Sequence, residues 1–193
     1  STRGRSFLFL ALGVFAGTGL GRRFTLRVPE NGLIALNVPL DPLRLGSNST
    51  RTTHPDYMAR WNDLLGALGI DGEILNPYWD KTKGEMAAGC RNPALLKKLA
   101  TDSLSCSSPT KGRWQGLGIE HCGYCLPCLI RRAALMAAWG NGNDATTYTV
   151  PDLRAQPLDT RESPGKQVRS FQYAIERLKG RPELANLLIH KPG

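Results

Sequence analysis

No apolar run in this chain is long enough to cross a bilayer, which takes about 20 residues. The longest, from Phe7 to Leu20, is interrupted by glycines, so a membrane-spanning protein is not expected. No internal repeat is apparent, which excludes solenoid and propeller architectures. Acidic residues are few relative to basic ones, 16 against 25, leaving a net charge of +9. That imbalance points to an anionic partner such as nucleotide phosphates, RNA or an acidic protein, or to a generally basic surface. The hydrophobic content of 41% and charged content of 21% are those of an ordinary globular protein. A length of 193 residues suffices for one domain with a real core, or for part of a larger one. The chain begins at Ser1 without an initiator methionine and enters an apolar stretch at once, which reads as a piece of a longer protein.

That apolar stretch has three readings. Arg3 and Arg5 ahead of FLFLALGVFAG imitate a signal peptide. Gly13, Gly17 and Gly21 at four-residue spacing imitate a membrane dimerisation face. The same spacing lets a buried helix of a soluble protein lie close against a sheet. The cysteine usage described below indicates a reducing compartment, so the expectation is a buried helix over Ser6 to Gly19 in a cytoplasmic protein.

Beyond it, Phe24 to Val28 alternates as a strand, Pro29 to Gly32 is a turn, and Leu33 to Leu36 is a short apolar strand. A polar loop from Gly46 to His54 leads to Pro55, well placed to open a helix with Met58, Trp61, Leu64, Leu65 and Leu68 on one face. Glu73 to Trp79 is expected as a strand and Lys81 to Ala88 as a helix. Helices are also expected over Pro93 to Ala100 and Pro127 to Trp139. After a glycine–asparagine turn and a polar stretch, a last amphipathic helix carries Val168, Phe171, Ile175 and Leu178. Alternating strands and helices predict an α/β fold.

Four of the five cysteines, Cys106, Cys122, Cys125 and Cys128, follow the spacing C-x15-C-x2-C-x2-C. Neighbours three positions apart let a tight turn aim both sulfurs at one ion, about 2.3 Å from each for zinc. Three cysteines in seven residues cannot pair as disulfides without strain, and a redox CxxC would leave two unexplained. A [4Fe–4S] cluster is the rival to zinc, although the x3-CP continuation of ferredoxin-like runs is missing. Four thiolates leave no coordination site for water, so a zinc here would be structural. Cys90 stands apart and reads as a packing residue.

Ser105-Cys106 followed by Cys122-Gly123-x-Cys125-x-x-Cys128-x-x-Arg131 resembles the zinc signature of the 7-cyano-7-deazaguanine synthases, the QueC family. Asp80 to Met86 resembles that family's T/K-K-x-E-I helix, and Arg5 to Ala11 its arginine-led helix. The resemblance spans about residues 3 to 135 in the family's order. It implies the C-terminal part of a Rossmann-like PP-loop (N-type) ATP pyrophosphatase fold carrying a four-cysteine zinc knuckle. On that reading residues 1–150 belong to the enzyme domain, with the zinc segment at 104–132, and 151–193 form a linker and helical extension. The fifteen-residue gap after Cys106, Leu126-Pro127 in place of Asp-Ser, and Ser6 in place of Asn depart from the pattern. The block from Glu30 to Pro55 and the tail after Asp144 look like the QatC-like branch encoded beside antiphage defence genes. The family's SGGxDS phosphate loop is absent from the sequence and would have to lie upstream.

The resemblance implies ATP and Mg²⁺ as cofactors, a 7-deazaguanine carboxylate and ammonia as substrates in queuosine biosynthesis, and a homodimer. Adenylating the carboxylate releases pyrophosphate; ammonia then gives the amide, and a second activation yields the nitrile. Lys81, Arg51 and Arg5 are the candidate phosphate contacts, with solvation or loop anchoring as their plainer roles. Arg131 is expected to brace the knuckle or pair with a carboxylate. A defence component using the same ATP chemistry on another acceptor, with defence-operon partners, is one alternative. A non-catalytic zinc module binding nucleic acid is another, weakened by the lack of interleaved aromatics.

Overall fold

The computed structural model describes residues 4–36, 52–116, 118–155, 157–181 and 183, in two compact units that divide between Lys81 and Thr82. The expected loop from Gly46 lies outside the described residues as far as Arg51. The architecture is mixed, with helices around a small parallel sheet.

The first unit is a two-layer arrangement. Helix α1 (Arg5–Thr18) leads to β1 (Phe24–Arg27), and a short helix α2 (Gly32–Ala35) follows. Helix α3 (Pro55–Ala67) then crosses over to β2 (Gly72–Leu75), which pairs parallel to β1 with Leu26 opposite Ile74. Parallel pairing requires such a crossover. Helix α3 starts where the sequence places it: Pro55 is preceded by His54, whose Nδ1 accepts from the Asp56 N–H at 3.2 Å.

Both helices cover one face of the sheet. Leu10, Val14, Phe24, Met58, Trp61, Leu65 and Ile74 form its core. The close approach of α1 rests on its glycines: a Cβ on Gly17 would lie 2.5 Å from the Phe24 ring, and one on Gly13 2.8 Å from Leu26. Thus Gly13 and Gly17 serve helix-on-sheet packing, while Gly21 falls past the helix end.

Three expectations are corrected here. Helix α1 is buried along one stripe only, and Phe9 (63% exposed), Leu12 and Phe15 (76% exposed) face outward. Residues Leu33 to Leu36 do not form a strand, because Asn31 caps a helical turn by accepting from the Ile34 N–H. Strand β2 stops at Leu75 instead of Trp79. There Asn76 takes the Tyr78 N–H at 3.0 Å in a turn, and Pro77 has no N–H to continue a ladder.

The second unit is helical. It holds α4 (Lys83–Ala88), α5 (Pro93–Asp102), a 3-10 turn (Pro109–Gln115), α6 (Leu126–Trp139) and α7 (Ser163–Gly180). Helix α4 begins two residues later than expected because Thr82 and Glu85 form a reciprocal capping box. Gly84 lets α4 press on α6, where its Cβ would meet the Ala137 methyl at 3.0 Å. Helix α7 buries Ala174 and turns Val168 toward the cysteine cluster, while Ile175 is exposed, contrary to the expected apolar face.

Candidate metal centre

Cys106, Cys122, Cys125 and Cys128 converge: their Sγ atoms all lie within 4.8 Å of one another. Two of the pairs, Cys106 with Cys125 and Cys122 with Cys128, are each 3.9 Å apart. A disulfide would need about 2.05 Å. Four ligands placed tetrahedrally about 2.3 Å from one ion are separated by about 3.8 Å, close to what is found. A cubane cluster would instead spread its thiolates over four different irons. The group can therefore hold one metal ion.

Local folding brings the ligands together. Cys122, Gly123 and Tyr124 turn back so that the Cys125 N–H points at the Cys122 sulfur, 3.3 Å away. Gly123 makes this turn at φ +87°, and a Cβ there would lie 2.5 Å from the Val150 carbonyl oxygen. Cys125 is the N-cap of α6, and Cys128 lies in its first turn with no exposure. Cys106 arrives from the segment after α5; the N–H groups of Ser108 and Cys122 both donate to its sulfur at 3.4 Å. Such N–H···S bonds stabilise thiolates.

Two arginines and a tyrosine form the frame. Arg131, buried on α6, donates to Ser103 Oγ at 2.9 Å, to Thr146 Oγ1 at 3.0 Å, and to the Ala100 carbonyl. It thereby ties the end of α5 to the stretch of chain beyond Asp144, and among the described residues no carboxylate pairs with it directly. Arg132 grips the knuckle itself, donating to the carbonyls of Gly123 (3.0 Å), Val150 and Pro151. Its guanidinium also stacks 3.7 Å above the Tyr148 ring. Tyr148 in turn donates to Asp144 Oδ2 at 2.6 Å. The Thr149 and Val150 N–H groups bond the carbonyls of His121 and Cys122. His121 accepts the Ser105 N–H through Nε2 at 3.2 Å, which fixes the remaining ring proton on Nδ1.

The electrostatics suit a cation. A hydrogen bond with Cys128 holds the Cys122 thiol down to about 4, and the same interaction, with burial, pushes Cys128 up. Burial also raises Cys106. Without an ion the site ionises Cys122 readily and resists ionising Cys106 and Cys128; a divalent ion supplies the missing positive charge. Burial lowers the pKa of His121, with Arg131 adding to the effect.

The remaining expected residues do not join this centre. Lys81 belongs to the first unit, half exposed, with Nζ 3.8 Å from Asp80 Oδ2. Arg5 is exposed at the start of α1, and no described hydrogen bond or ion pair links it to Lys81. Arg51 lies outside the described residues. Cys90 stays out of the cluster, its thiol 3.5 Å from the Asn92 carbonyl. Sequence reasoning missed Arg132, Tyr148 and His121. The arginine doublet beside the last cysteine was the one available signal, since the partners beyond Asp144 are distant in sequence.

Among the described residues no helix is long and apolar enough to cross a membrane. Comparison of the chain with protein-family models, with characterised proteins and with solved structures returns no match. The likeness to the 7-cyano-7-deazaguanine synthases therefore rests on the motif residues alone.

Proposed function

We propose that the four cysteines hold one structural zinc ion, and that the chain is the zinc-bearing part of a QueC-like, ATP-dependent carbon–nitrogen ligase. The convergence of four sulfurs within 4.8 Å carries the first half of this reading. Thiolate ligands and a single-ion spacing favour zinc over magnesium or calcium, which take oxygen. With four protein ligands the ion has no position for water, so its role is to lock Cys106, the knuckle and the start of α6 together.

The second half is supported by the signature cysteines with Arg131, and by the Arg5 and Lys81 segments in the family's order. In that reaction Lys81, Arg51 and Arg5 would neutralise phosphate charge while the carboxylate of a 7-deazaguanine is adenylated, with Mg²⁺ and ammonia as co-reactants. Such chemistry is chiefly positioning and charge neutralisation. The test incubates the intact protein with 7-carboxy-7-deazaguanine, Mg·ATP and ammonia and analyses products by mass spectrometry. The nitrile together with AMP is expected. ATP turnover without nitrile would move the activity to another acceptor, as in the defence-associated branch. Absence of both would remove the ligase and leave the zinc scaffold standing.

A further inference from the structure

Beside the metal centre the second unit holds a cleft of about 370 Å³, within the roughly 300–1,000 Å³ usual for small-molecule sites. Three segments distant in sequence wall it: the end of α5 with Asp102 and Leu104, the run from Ile119 to His121 that enters the knuckle, and Thr147 beyond Asp144. The framework of the knuckle holds all three in place. Arg131 ties the end of α5, through Ser103 Oγ, to Thr146, and the Thr149 N–H bonds the His121 carbonyl. Walls fixed in this way need little reordering when a ligand enters.

Of the residues lining the cleft only His121 is buried, at 4% exposure, so it forms the inner wall. Its Nε2 accepts the Ser105 N–H, which leaves the ring proton on Nδ1, and no described residue accepts that proton. A buried N–H without an acceptor is costly, and an oxygen atom at the depth of the cleft would supply one. Toward the mouth the chemistry reverses. Asp102 is exposed and Glu120 half-buried, and neither carboxylate has a described hydrogen-bond or ion-pair partner. These groups do not form a second metal site: among the described residues the cysteines alone converge closely enough for one ion. An anion would face two carboxylates. A plain alkylammonium ion would leave the His121 donor unanswered. Both ends are answered by an ammonium group on a hydroxylated carbon skeleton, whose C–H face can rest on exposed Leu104 and Ile119.

We propose that this cleft binds a hydroxylated primary amine of amino-sugar size. The ammonium meets Asp102 and Glu120 through charge-assisted hydrogen bonds, a hydroxyl oxygen accepts the His121 Nδ1 proton, and Thr147 bonds a second hydroxyl. The site lies wholly within the second unit and does not depend on the ligase reading.

The test titrates the zinc-loaded chain with glucosamine in an amine-free buffer. Glucose serves as the uncharged match and cyclohexylamine as the hydroxyl-free match. Saturable binding of glucosamine, at least tenfold tighter than that of either control, is expected. Binding should also slow solvent exchange of the His121 Nδ1 proton at least tenfold, read by heteronuclear NMR. Asp102→Asn and Glu120→Gln keep the shape of each side chain and remove its charge. Each should weaken binding at least tenfold while zinc content stays at the wild-type level. The Nδ1 proton is read on the wild-type chain, so a poorly folded variant leaves the proposal open to refutation. Absence of saturable glucosamine binding, equal binding of glucose, or indifference to both substitutions would overturn it. Cyclohexylamine binding as tightly as glucosamine would overturn it in favour of a simple cation site. An unchanged Nδ1 proton at saturation would remove His121 from the site, and the proposal with it.

Discussion

The two units are held together by different physics. In the first, Leu65 and Ile74 are each 1% exposed, at the centre of an apolar core joining α1, α3 and both strands. In the second, the tightest cluster consists of Cys122, Tyr124, Cys125 and Cys128. Three of those four are thiols, which contribute little apolar area, and arginines bonded to carbonyls surround them. Burial of hydrocarbon joins the described elements of the first unit. In the second, four thiols that could hold a metal ion stand where part of that burial would be, so on the proposed zinc reading its order depends on the ion.

The largest expected effect follows from removing that ion. A structural zinc contributes on the order of 10 kcal/mol of binding free energy, which is also folding free energy. A strong chelator, or Cys128→Ala, should abolish hydrogen-exchange protection around α6 while leaving that of α3 and β2 in place. Uniform loss across both units would erase the distinction between them. The converse substitution, Ile74→Ala, should cost about 2–5 kcal/mol in the first unit through lost transfer energy and a cavity. Metal content measured on the purified protein should be unchanged by it.

Smaller effects probe how the knuckle is framed. Gly123→Ala places a Cβ against the Val150 carbonyl at positive φ and should destabilise the second unit by about 1–3 kcal/mol. Thermal unfolding monitored by zinc release reads this directly. The smallest effect is that of pH on the zinc-loaded protein. The folded pKa of His121 is below its ordinary 6.5, so the unfolded state binds the proton more readily. Its contribution is fully present above pH 6.5 and is lost as the pH falls below that value. His121→Gln should flatten the stability profile of the second unit over that window. An unchanged profile would assign the acid sensitivity to the thiols.

Much of this contrast was legible in the sequence. Closely spaced cysteines on either side of a glycine can hardly avoid a turn, and Asn-Pro or His-Pro before an apolar periodicity marks a helix start. Local chemistry also misled. Leu33 to Leu36 looks like a strand until Asn31 is recognised as a cap. The motif-like Lys81 to Met86 segment has a plainer local account, in which Glu85 caps Thr82. What could not be read was non-local: Arg132 meeting Val150, Asn62 bonding the backbone of Ile74, and the exposed outer face of α1. A uniformly apolar helix announces burial, but its sequence does not say on how many sides.

The central claim is that Cys106, Cys122, Cys125 and Cys128 bind one ion between them. X-ray absorption at the zinc edge, with elemental analysis of the same sample, tests it most directly. One zinc per chain with four sulfur neighbours at about 2.3 Å is the expected result. Iron with inorganic sulfide, zinc bound to nitrogen or oxygen, or wild-type zinc content in Cys128→Ala would contradict it.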